Sequence, residues 1–423
     1  MFGEYQQDFL RRVELNCNRL SSDMYSGENI FRDSGYAWEG DWEGRALLAF
    51  VCLKRLTGKE FPAMRYEISH LKEKTNEYGY FGSVVDGKGV SEQLLSGNGW
   101  YLRGLCEYYR DTQDAEILSL IGSVVENLYL RCETLYDRYP AGPRAEEGGV
   151  SGTLSQSVDG WTLSTDVGCA FIALDGLTAA YRILRGDRLR RFIDKQIARF
   201  LSLDKMKCRM QTHATLTVCR AIIRMYLITK EKQYLEKGTE LFDFYVLHGM
   251  TLTYENFNWF GRENTWTEPC AVVDSLICAL YLYRERKDSG YLTLARRIYF
   301  NGINLGQRYN GGAGTNSCVT EKNPVLKTEI FEAYFCCTMR LSEGLYQVSL
   351  FADALFAESD EDKPLVRDET GRVFRGDHLM CSVNGGKLIR LPKIYDYNME
   401  ELKSLRIKFL FENGSEELSN CDL

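Results

Sequence analysis

Residues Val167–Leu184 (VGCAFIALDGLTAAYRIL) introduce a pattern that recurs along most of this 423-residue chain. An apolar stripe with helical spacing runs up to a Tyr-Arg pair, a short polar turn follows, and a second amphipathic stretch covers Arg188–Leu201. Apolar residues that return every three or four positions predict α-helices. Two such helices joined by a short turn predict an antiparallel helical hairpin.

The same layout recurs on both sides of this stretch. Tyrosines mark the corresponding turns at irregular intervals, so the chain is not a solenoid of fixed period. No proline stands between Pro143 and Pro269, which favours long uninterrupted helices there. The predicted helices are Glu43–Thr57, Gly99–Thr112 with Ala115–Leu130, His213–Thr229 with Gln233–Leu247, and Ala271–Arg284 with Tyr291–Leu305, and the turn tyrosines are Tyr109, Tyr181, Tyr226 and Tyr283.

Repeated hairpins in one chain of this size predict a mainly α fold, an (α/α) toroid whose inner helices surround a pocket. The non-helical insertions Tyr78–Val90 and Pro140–Asp166 are expected at the rim of the toroid, where binding loops lie. After about Leu350, short apolar runs alternate with Gly, Asn and Lys, which is typical of strands. We therefore predict a toroid domain over 1–350 and a small β-rich segment over 351–423.

The overall charge excludes several classes of function. Fifty-two Lys and Arg residues against 59 Asp and Glu give a net charge of −7, which argues against a general nucleic-acid binder. The longest apolar run, Ala46–Leu53, is far shorter than the roughly 20 residues of a transmembrane helix. The first twenty residues contain no apolar core of a signal peptide, so we expect no membrane association and a cytoplasmic location. The 14 cysteines are then expected to be reduced.

Two cysteine-containing segments carry candidate chemistry. Cys336 and Cys337 are adjacent in FEAYFCCTMRLSEGL, and Glu268 and Cys270 stand two apart in NTWTEPCAVVDSL, at the predicted start of a helix. Three thiolates and a carboxylate form a suitable tetrahedral shell for zinc. From the residues alone the alternative stays open that Cys270 and one of the pair are ordinary buried helix thiols.

With these segments the sequence resembles the family 127 glycoside hydrolases, which are β-L-arabinofuranosidases, and the neighbouring family 146. The resemblance covers roughly residues 35–350 and implies an (α/α)6 catalytic toroid that binds Zn²⁺. It implies that Glu268, Cys270 and Cys337 ligate the zinc, and that Cys336 is the nucleophile and also touches the metal.

The resemblance also assigns an acid/base and a substrate contact. Glu255, in TYENFNWF, stands where the family carries its acid/base glutamate, and His213 resembles a substrate-contacting histidine. The implied reaction is retaining hydrolysis of a β-L-arabinofuranoside or a related furanoside through a thioglycosyl-enzyme intermediate. After the cysteine pair the family reads Pro-Pro-Asn with a later Arg, whereas this chain reads Thr338–Arg340 with Glu343 in the later position.

Aromatic residues make up 13% of the chain, and their rings are suited to stacking on sugars. Tyr80, Trp100, Trp259 and Trp266 are the candidates for substrate stacking, although packing in the core explains such rings equally well. The glycine-rich segment Asn310–Ser317 follows a helix and lacks a P-loop lysine, so we interpret it as a flexible loop near the cysteine pair.

Three other functions compete with this one. A toroidal carbohydrate enzyme without zinc would use Glu39, Asp41 or Glu43 of the WEGDWEG segment as acid and base. A degenerate relative would bind a glycan without cleaving it. A zinc enzyme that alkylates thiols, as protein prenyltransferases do, is the least favoured because the expected His and Asp ligands are missing here. In the first two the partner is an oligosaccharide or glycoside.

Overall fold

The computed structural model describes residues 3–31, 37–144, 152–357, 360 and 362–411. The helices are α1 Glu4–Leu20, α2 Asp41–Thr57, α3 Pro62–Lys74, α4 Glu92–Thr112, α5 Ala115–Val124, α6 Ala173–Leu184, α7 Asp187–Ser202, α8 Thr212–Thr229, α9 Lys232–His248, α10 Pro269–Arg286, α11 Ser289–Arg297, α12 Asn304–Gly306, α13 Cys337–Leu350, α14 Ala352–Leu355 and α15 Met399–Ser404. The strands are β1 Val90–Ser91, β2 Leu154–Val158, β3 Trp161–Ser164, β4 Thr315–Asn316, β5 Val325–Leu326, β6 Thr328–Ile330, β7 Leu365–Arg367, β8 Val373–Arg375, β9 His378–Val383, β10 Leu388–Arg390 and β11 Ile407–Phe409.

The predicted helical pairs are confirmed, with differences at their ends. Helix α4 begins seven residues before the predicted Gly99, because the Ser91 hydroxyl caps it by accepting from the backbone N–H groups of Gln93 and Leu94. Single π-helical turns continue α5 over Val125–Tyr129 and α11 over Ile298–Ile303. The described parts of both predicted insertions contain no α-helix, and residues 145–151 of the second lie outside the described chain.

The turn tyrosines share one structural role. Each lies four residues before the residue that ends its helix, and its carbonyl accepts the backbone N–H of that residue. Each of these end residues has a positive φ, which lets the chain leave the helix while the last carbonyls stay bonded. The end residues are Gln113, Arg185, Lys230 and Lys287.

The chain divides into two compact units. The 20–245 unit comprises Leu20–Tyr245 and Trp259–Arg262, and the 263–423 unit comprises Met1–Arg19, Val246–Asn258 and Glu263–Leu423. The predicted division at 350/351 remains a prediction.

In the 20–245 unit, helices α2, α4, α6 and α8 are buried on almost every side and pack in that order against one another. Helix α7 instead buries one stripe, which includes Leu189, Phe192 and Ile193, and leaves its charged face in solvent. The alternation of fully buried and half-buried helices is what the hairpin pattern predicts. A small sheet in the same unit pairs β1 parallel and β2 antiparallel to β3.

In the 263–423 unit, α10 packs against α13. Helix α1 is joined to α13 by Asn16, whose Nδ2 donates to the Thr338 carbonyl at 3.1 Å and whose Oδ1 accepts from Ser342 Oγ at 2.7 Å. The strands form an antiparallel sheet in the order β5-β11-β9-β8-β7, with β10 also paired to β9, and a separate pair β4-β6. The predicted β-rich character of the C-terminal segment is confirmed for the described residues.

Across the described residues, no helix combines the length and the apolar character needed to cross a bilayer.

The packing of α2 against α4 depends on Gly44. A Cβ at this position would lie 2.1 Å from the backbone nitrogen of Tyr101, so no other residue fits without moving a helix. We expect Gly44→Ala to lower the free energy of unfolding by about 1–3 kcal/mol or more.

The matched control is Gly122→Ala in α5, where nothing lies within 4 Å of the added Cβ. That substitution should raise stability by up to about 1 kcal/mol, because alanine is the better helix former. Chemical denaturation of both variants measures the difference, and equal stabilities would contradict the close contact of α2 and α4.

Candidate functional site

The three predicted cysteine ligands lie together in the 263–423 unit. The Sγ atoms of Cys270 and Cys337 are 3.4 Å apart, and those of Cys336 and Cys337 are also 3.4 Å apart. All three sulfur atoms lie within 4.8 Å of one another. A carboxylate oxygen of Glu268 is within 4.8 Å of the Cys270 sulfur. The structure therefore brings the three predicted cysteine ligands into one cluster, which we call the thiol cluster, and places the predicted carboxylate ligand Glu268 beside Cys270.

Two helix N-termini hold the thiol cluster. Glu268 is the N-cap of α10, Pro269 occupies the first helical position, and Cys270 follows in the first turn. Cys336 is the N-cap of α13 and Cys337 is its first residue. The positive ends of two helix dipoles thus face the sulfur atoms, which favours thiolates over thiols.

Without a cation, neighbouring thiols of the cluster make it harder for one another to lose a proton. Contact with Cys270 and Cys337, together with burial, raises the pKa of Cys336 well above its usual value. Burial and the neighbouring Cys270 thiol do the same to the pKa of Cys337, to which the Glu268 charge adds. A raised pKa favours the protonated thiol, so without a cation Cys336 and Cys337 are poor nucleophiles.

This donor set fits a zinc ion. Zinc–sulfur bonds of about 2.3 Å in a tetrahedral shell place sulfur atoms about 3.8 Å apart, close to the 3.4 Å contacts of the cluster. Three sulfurs and one carboxylate are also ligands of the type that zinc prefers. Cys336, Cys337, Cys270 and Glu268 are thus the residues that would hold it.

Glu255 lies on a tight turn in the same unit. The Thr251 backbone N–H donates to the Glu255 carbonyl at 3.0 Å, and the Glu255 N–H donates to Thr251 Oγ1 at 3.1 Å. Between them Tyr254 has a φ of 64°, an uncommon conformation for a tyrosine. Backbone strain of this kind is concentrated at functional sites.

The Glu255 carboxyl is completely enclosed, with an exposed fraction of 1%. Asn316 Nδ2 and Thr267 Oγ1 donate to Oε1 at 2.9 and 3.1 Å, and Thr253 Oγ1 donates to Oε2 at 3.0 Å. Burial nevertheless raises the pKa of Glu255 to about 7, because loss of water outweighs these bonds and the positive charge of Arg308. A carboxyl poised near neutrality can both donate and accept a proton.

Arg308 lies near both the Glu255 carboxyl and the thiol cluster. Its Nη2 donates to Asn316 Oδ1 at 2.9 Å, so the amide lies between the guanidinium and Glu255. Burial lowers the pKa of Arg308 to about 10, while the charges of Glu255 and Cys337 act in the opposite direction. The Arg308 guanidinium therefore interacts electrostatically with both Glu255 and Cys337 of the thiol cluster.

The predicted substrate contacts of the 20–245 unit are buried. His213 lies in α8, and its ring is stacked with that of Trp100 at 6.0 Å. Arg45 lies over the Trp100 ring at 4.2 Å. Tyr80 accepts the Val85 N–H at 2.8 Å through its hydroxyl. Each of these rings has a structural role, and their contact with substrate remains a prediction.

The other two aromatic candidates differ in exposure. Trp259 is buried with the Arg262 guanidinium 4.3 Å above its ring. Trp266 belongs to the 263–423 unit, is half-buried, and forms an isolated β-bridge with Ser317. Trp266 is therefore the one of the four aromatic candidates that is not fully buried.

The competing carboxylates occupy different surroundings. Asp41 is buried and paired with Arg45 at 2.9 Å. Glu43 is buried near Glu67, whose pKa is raised well above its usual value by burial and by the Glu43 charge. Burial also raises the pKa of Glu39. Glu39 is therefore the member of this group suited to act as an acid.

The residues that surround Glu255 are not indicated by any motif of the sequence. Asn316 lies in the glycine-rich segment that we interpreted as a flexible loop; that interpretation is wrong, because residues 311–318 are buried and Thr315–Asn316 form a strand. Gly311 is needed there, since a Cβ would lie 1.9 Å from the Leu15 carbonyl oxygen. No sequence signal pairs Asn316 with a carboxyl 61 residues away.

The chain matches no protein-family model and no curated protein sequence. Solved structures do match it. A sugar epimerase from a ruminal bacterium is 12% identical with a TM-score of 0.55, and the match covers 81% of this chain and 97% of that one. The cellobiose 2-epimerase of Bacillus thermoamylovorans is 14% identical with a TM-score of 0.54, with 81% and 98% covered. A GH127 β-arabinofuranosidase is 13% identical with a TM-score of 0.53, with 82% of this chain and 60% of that one covered.

The fold is an (α/α)6 toroid. This confirms the predicted fold class. All three similar structures carry the names of sugar-processing enzymes, one of them from the family that the sequence resembles. At these identities the likeness concerns the fold, and membership of family 127 remains a prediction.

The thiol cluster predicts a measurable metal content. Protein purified under reducing conditions without chelator should contain about one zinc per chain by elemental mass spectrometry, because four ligands suit one tetrahedral ion. Cys270→Ser and Cys337→Ser should lose it, whereas Cys381→Ser, a buried thiol outside the cluster, should retain it. Metal in the two cluster variants equal to that of the parent would contradict the assignment.

The raised pKa of Glu255 predicts a dependence of stability on pH. Between about pH 4.5 and 7 the folded chain holds a proton at Glu255 that the unfolded chain has lost, so stability falls as the pH rises through this window. The loss should reach roughly 3 kcal/mol above pH 7. Glu255→Gln should abolish this slope in metal-free protein, and the exposed Glu14→Gln should not. Denaturation curves at several pH values measure it; parallel profiles for parent and Glu255→Gln would show that the carboxyl is not perturbed.

Proposed function

We propose that this protein is a carbohydrate-active enzyme, and more narrowly a retaining glycoside hydrolase that cleaves a β-L-arabinofuranoside or a related furanoside. The observation that carries the proposal is the joint presence, in one compact unit, of the thiol cluster and of a buried glutamate with a pKa near 7. The similarity in fold to sugar-processing enzymes supports the wider statement. The resemblance to family 127 supports the narrower one.

Cys336 is the proposed nucleophile. Cys270 and Cys337 are 0% and 1% exposed, whereas Cys336 is half-buried and is the member of the cluster that a substrate can reach. Zinc, when bound, stabilises the thiolate form of its cysteine ligands at neutral pH. The other proposed ligands orient the Cys336 sulfur and do not themselves attack the sugar; they are Cys270, Cys337 and Glu268.

Glu255 is the proposed acid and base. In the first step the Cys336 sulfur attacks the anomeric carbon, the bond from that carbon to the leaving oxygen breaks, and protonated Glu255 gives its proton to the leaving oxygen. In the second step the Glu255 carboxylate takes a proton from water, the water oxygen bonds to the anomeric carbon, and the carbon–sulfur bond breaks. Two inversions give overall retention.

Asn316 and Arg308 stabilise the ionised form of Glu255 that the second step needs. When Glu255 is ionised, the Asn316 amide donates to it and the Arg308 guanidinium lies behind the amide, so the negative charge is stabilised without water. Burial in turn favours the neutral, protonated form of Glu255. The balance between these effects holds the pKa near 7. The proposed sugar contacts are His213, Tyr80, Trp100, Trp259 and Trp266.

The roles of the two residues predict different kinetic signatures. Cys336→Ser should lower kcat/KM at least about 10³-fold on every arabinofuranoside, because the first covalent bond cannot form. Glu255→Gln should lower it as strongly on an alkyl glycoside but far less on a 4-nitrophenyl glycoside, whose leaving group needs no protonation. Cys381→Ser is the control for loss of a buried thiol. Proton NMR of the first product should show retained anomeric configuration.

Contrary outcomes identify the competing functions. Cys336→Ser with most of its activity left would contradict the nucleophile. Loss of activity in Glu39→Gln together with metal-free parent protein would support the toroidal enzyme that works without zinc. Glycan binding with no turnover by the zinc-loaded parent would support the non-catalytic relative.

A further inference from the structure

A buried ion cluster lies next to the thiol cluster. Arg340 Nη2 is 2.5 Å from Asp274 Oδ1, and Arg340 Nη1 contacts Glu343. The side chains of Arg340 and Asp274 are 0% exposed and that of Glu343 is 2% exposed. Three charged groups without contact to water are costly unless they are paired.

The ion cluster is in helical register with the thiols. Asp274 follows Cys270 by four residues in α10, and Arg340 follows Cys337 by three residues in α13. Residues three or four apart occupy the same helix face, about one turn of 5.4 Å along the axis. The Arg340–Asp274 pair therefore joins α10 to α13 one turn behind the point where their first turns bring Cys270 and Cys337 together.

A steric contact between the same two helices lies close to this ion pair. A Cβ at Gly344 would lie 3.0 Å from Val273 Cγ2, so α13 approaches α10 closely at this level. The close approach limits how near the helices come, but nothing in it prevents sliding along the axis. The guanidinium has a fixed planar fork and binds a carboxylate on each helix. Sliding would pull the guanidinium away from one of these two carboxylates, and breaking a buried ion pair is strongly unfavourable.

We propose that Arg340 is a positioning residue for the metal site: through Asp274 and Glu343 it fixes the axial register of α10 and α13, and with it the separation of the Cys270 sulfur from those of Cys336 and Cys337. The proposal rests on the proposed zinc site. It assigns a role to buried residues that are not among the proposed zinc ligands.

The test compares zinc affinity in four full-length proteins: the parent, Arg340→Met, Arg340→Lys and Arg296→Met. Arg296 is the matched control, because it is also a buried arginine of the 263–423 unit, bonded to Asp377 at 2.5 Å and Asp360 at 3.3 Å. Affinity is measured by competition with a chromophoric chelator. Cobalt(II) absorption reports ligand geometry, and thermal unfolding of the metal-free forms reports stability.

Arg340→Met should weaken zinc binding by about 10- to 100-fold, the range found when outer partners of metal ligands are removed. Its cobalt(II) spectrum should lose intensity in the bands of a tetrahedral thiolate site. Arg340→Lys keeps the positive charge but lacks the planar guanidinium, so its zinc affinity should lie between that of the parent and that of Arg340→Met. It also supplies the test if Arg340→Met does not fold. Arg296→Met should lose stability and keep zinc affinity within about twofold of the parent.

Two results would overturn the proposal while the zinc site stands. One is parent-like zinc affinity and cobalt spectrum in the Arg340 variants. The other is an equal loss of affinity in Arg296→Met, which would show that any destabilisation of this unit weakens the metal. A parent that binds no zinc would instead refute the proposed site itself.

Discussion

The 3.4 Å contact between the sulfur atoms of Cys270 and Cys337 is the constraint on which the candidate site depends. It requires two helices that begin at the same level, each presenting its first turn to the other. Proline at the first position of α10 favours the start of that helix, α13 begins at Cys337, and the Arg340–Asp274 pair joins the two helices one turn further on. Thiols so close together repel as anions, so the arrangement favours a cation between them.

Electrostatics gives the two halves of the site complementary properties. Burial raises the pKa of Glu255, and contact with Cys270 and Cys337 together with burial raises the pKa of Cys336. For the glutamate, Asn316 and Arg308 offset burial and bring the pKa near 7. For the thiols, the proposed zinc ion would supply the offset.

The sequence predicted the helical hairpins well because helix formation is encoded within four residues. Helices α7 and α8 agree with prediction to within a residue, and α4 differs because a serine cap extends it. The prediction failed where structure depends on distant partners. The glycine-rich segment has a flexible composition, yet its burial against Leu15 and its bond to Glu255 order it. Trp100 and Tyr80 likewise have structural partners that their spacing did not indicate.

The sequence by itself determined the periodicity that leads to the toroid, and it marked Glu268, Cys270, Cys336 and Cys337 as candidate ligands by residue type. Glu255 became a candidate through the resemblance to family 127. Only the tertiary structure decided that residues 67 apart place their sulfur atoms in contact, that Cys336 is the accessible thiol, and that Asn316 and Arg308 tune the glutamate. The physical reason is range. Local propensity and capping act over one or two turns, whereas a pKa or a metal shell depends on every group within a few ångströms, whatever its position in the chain.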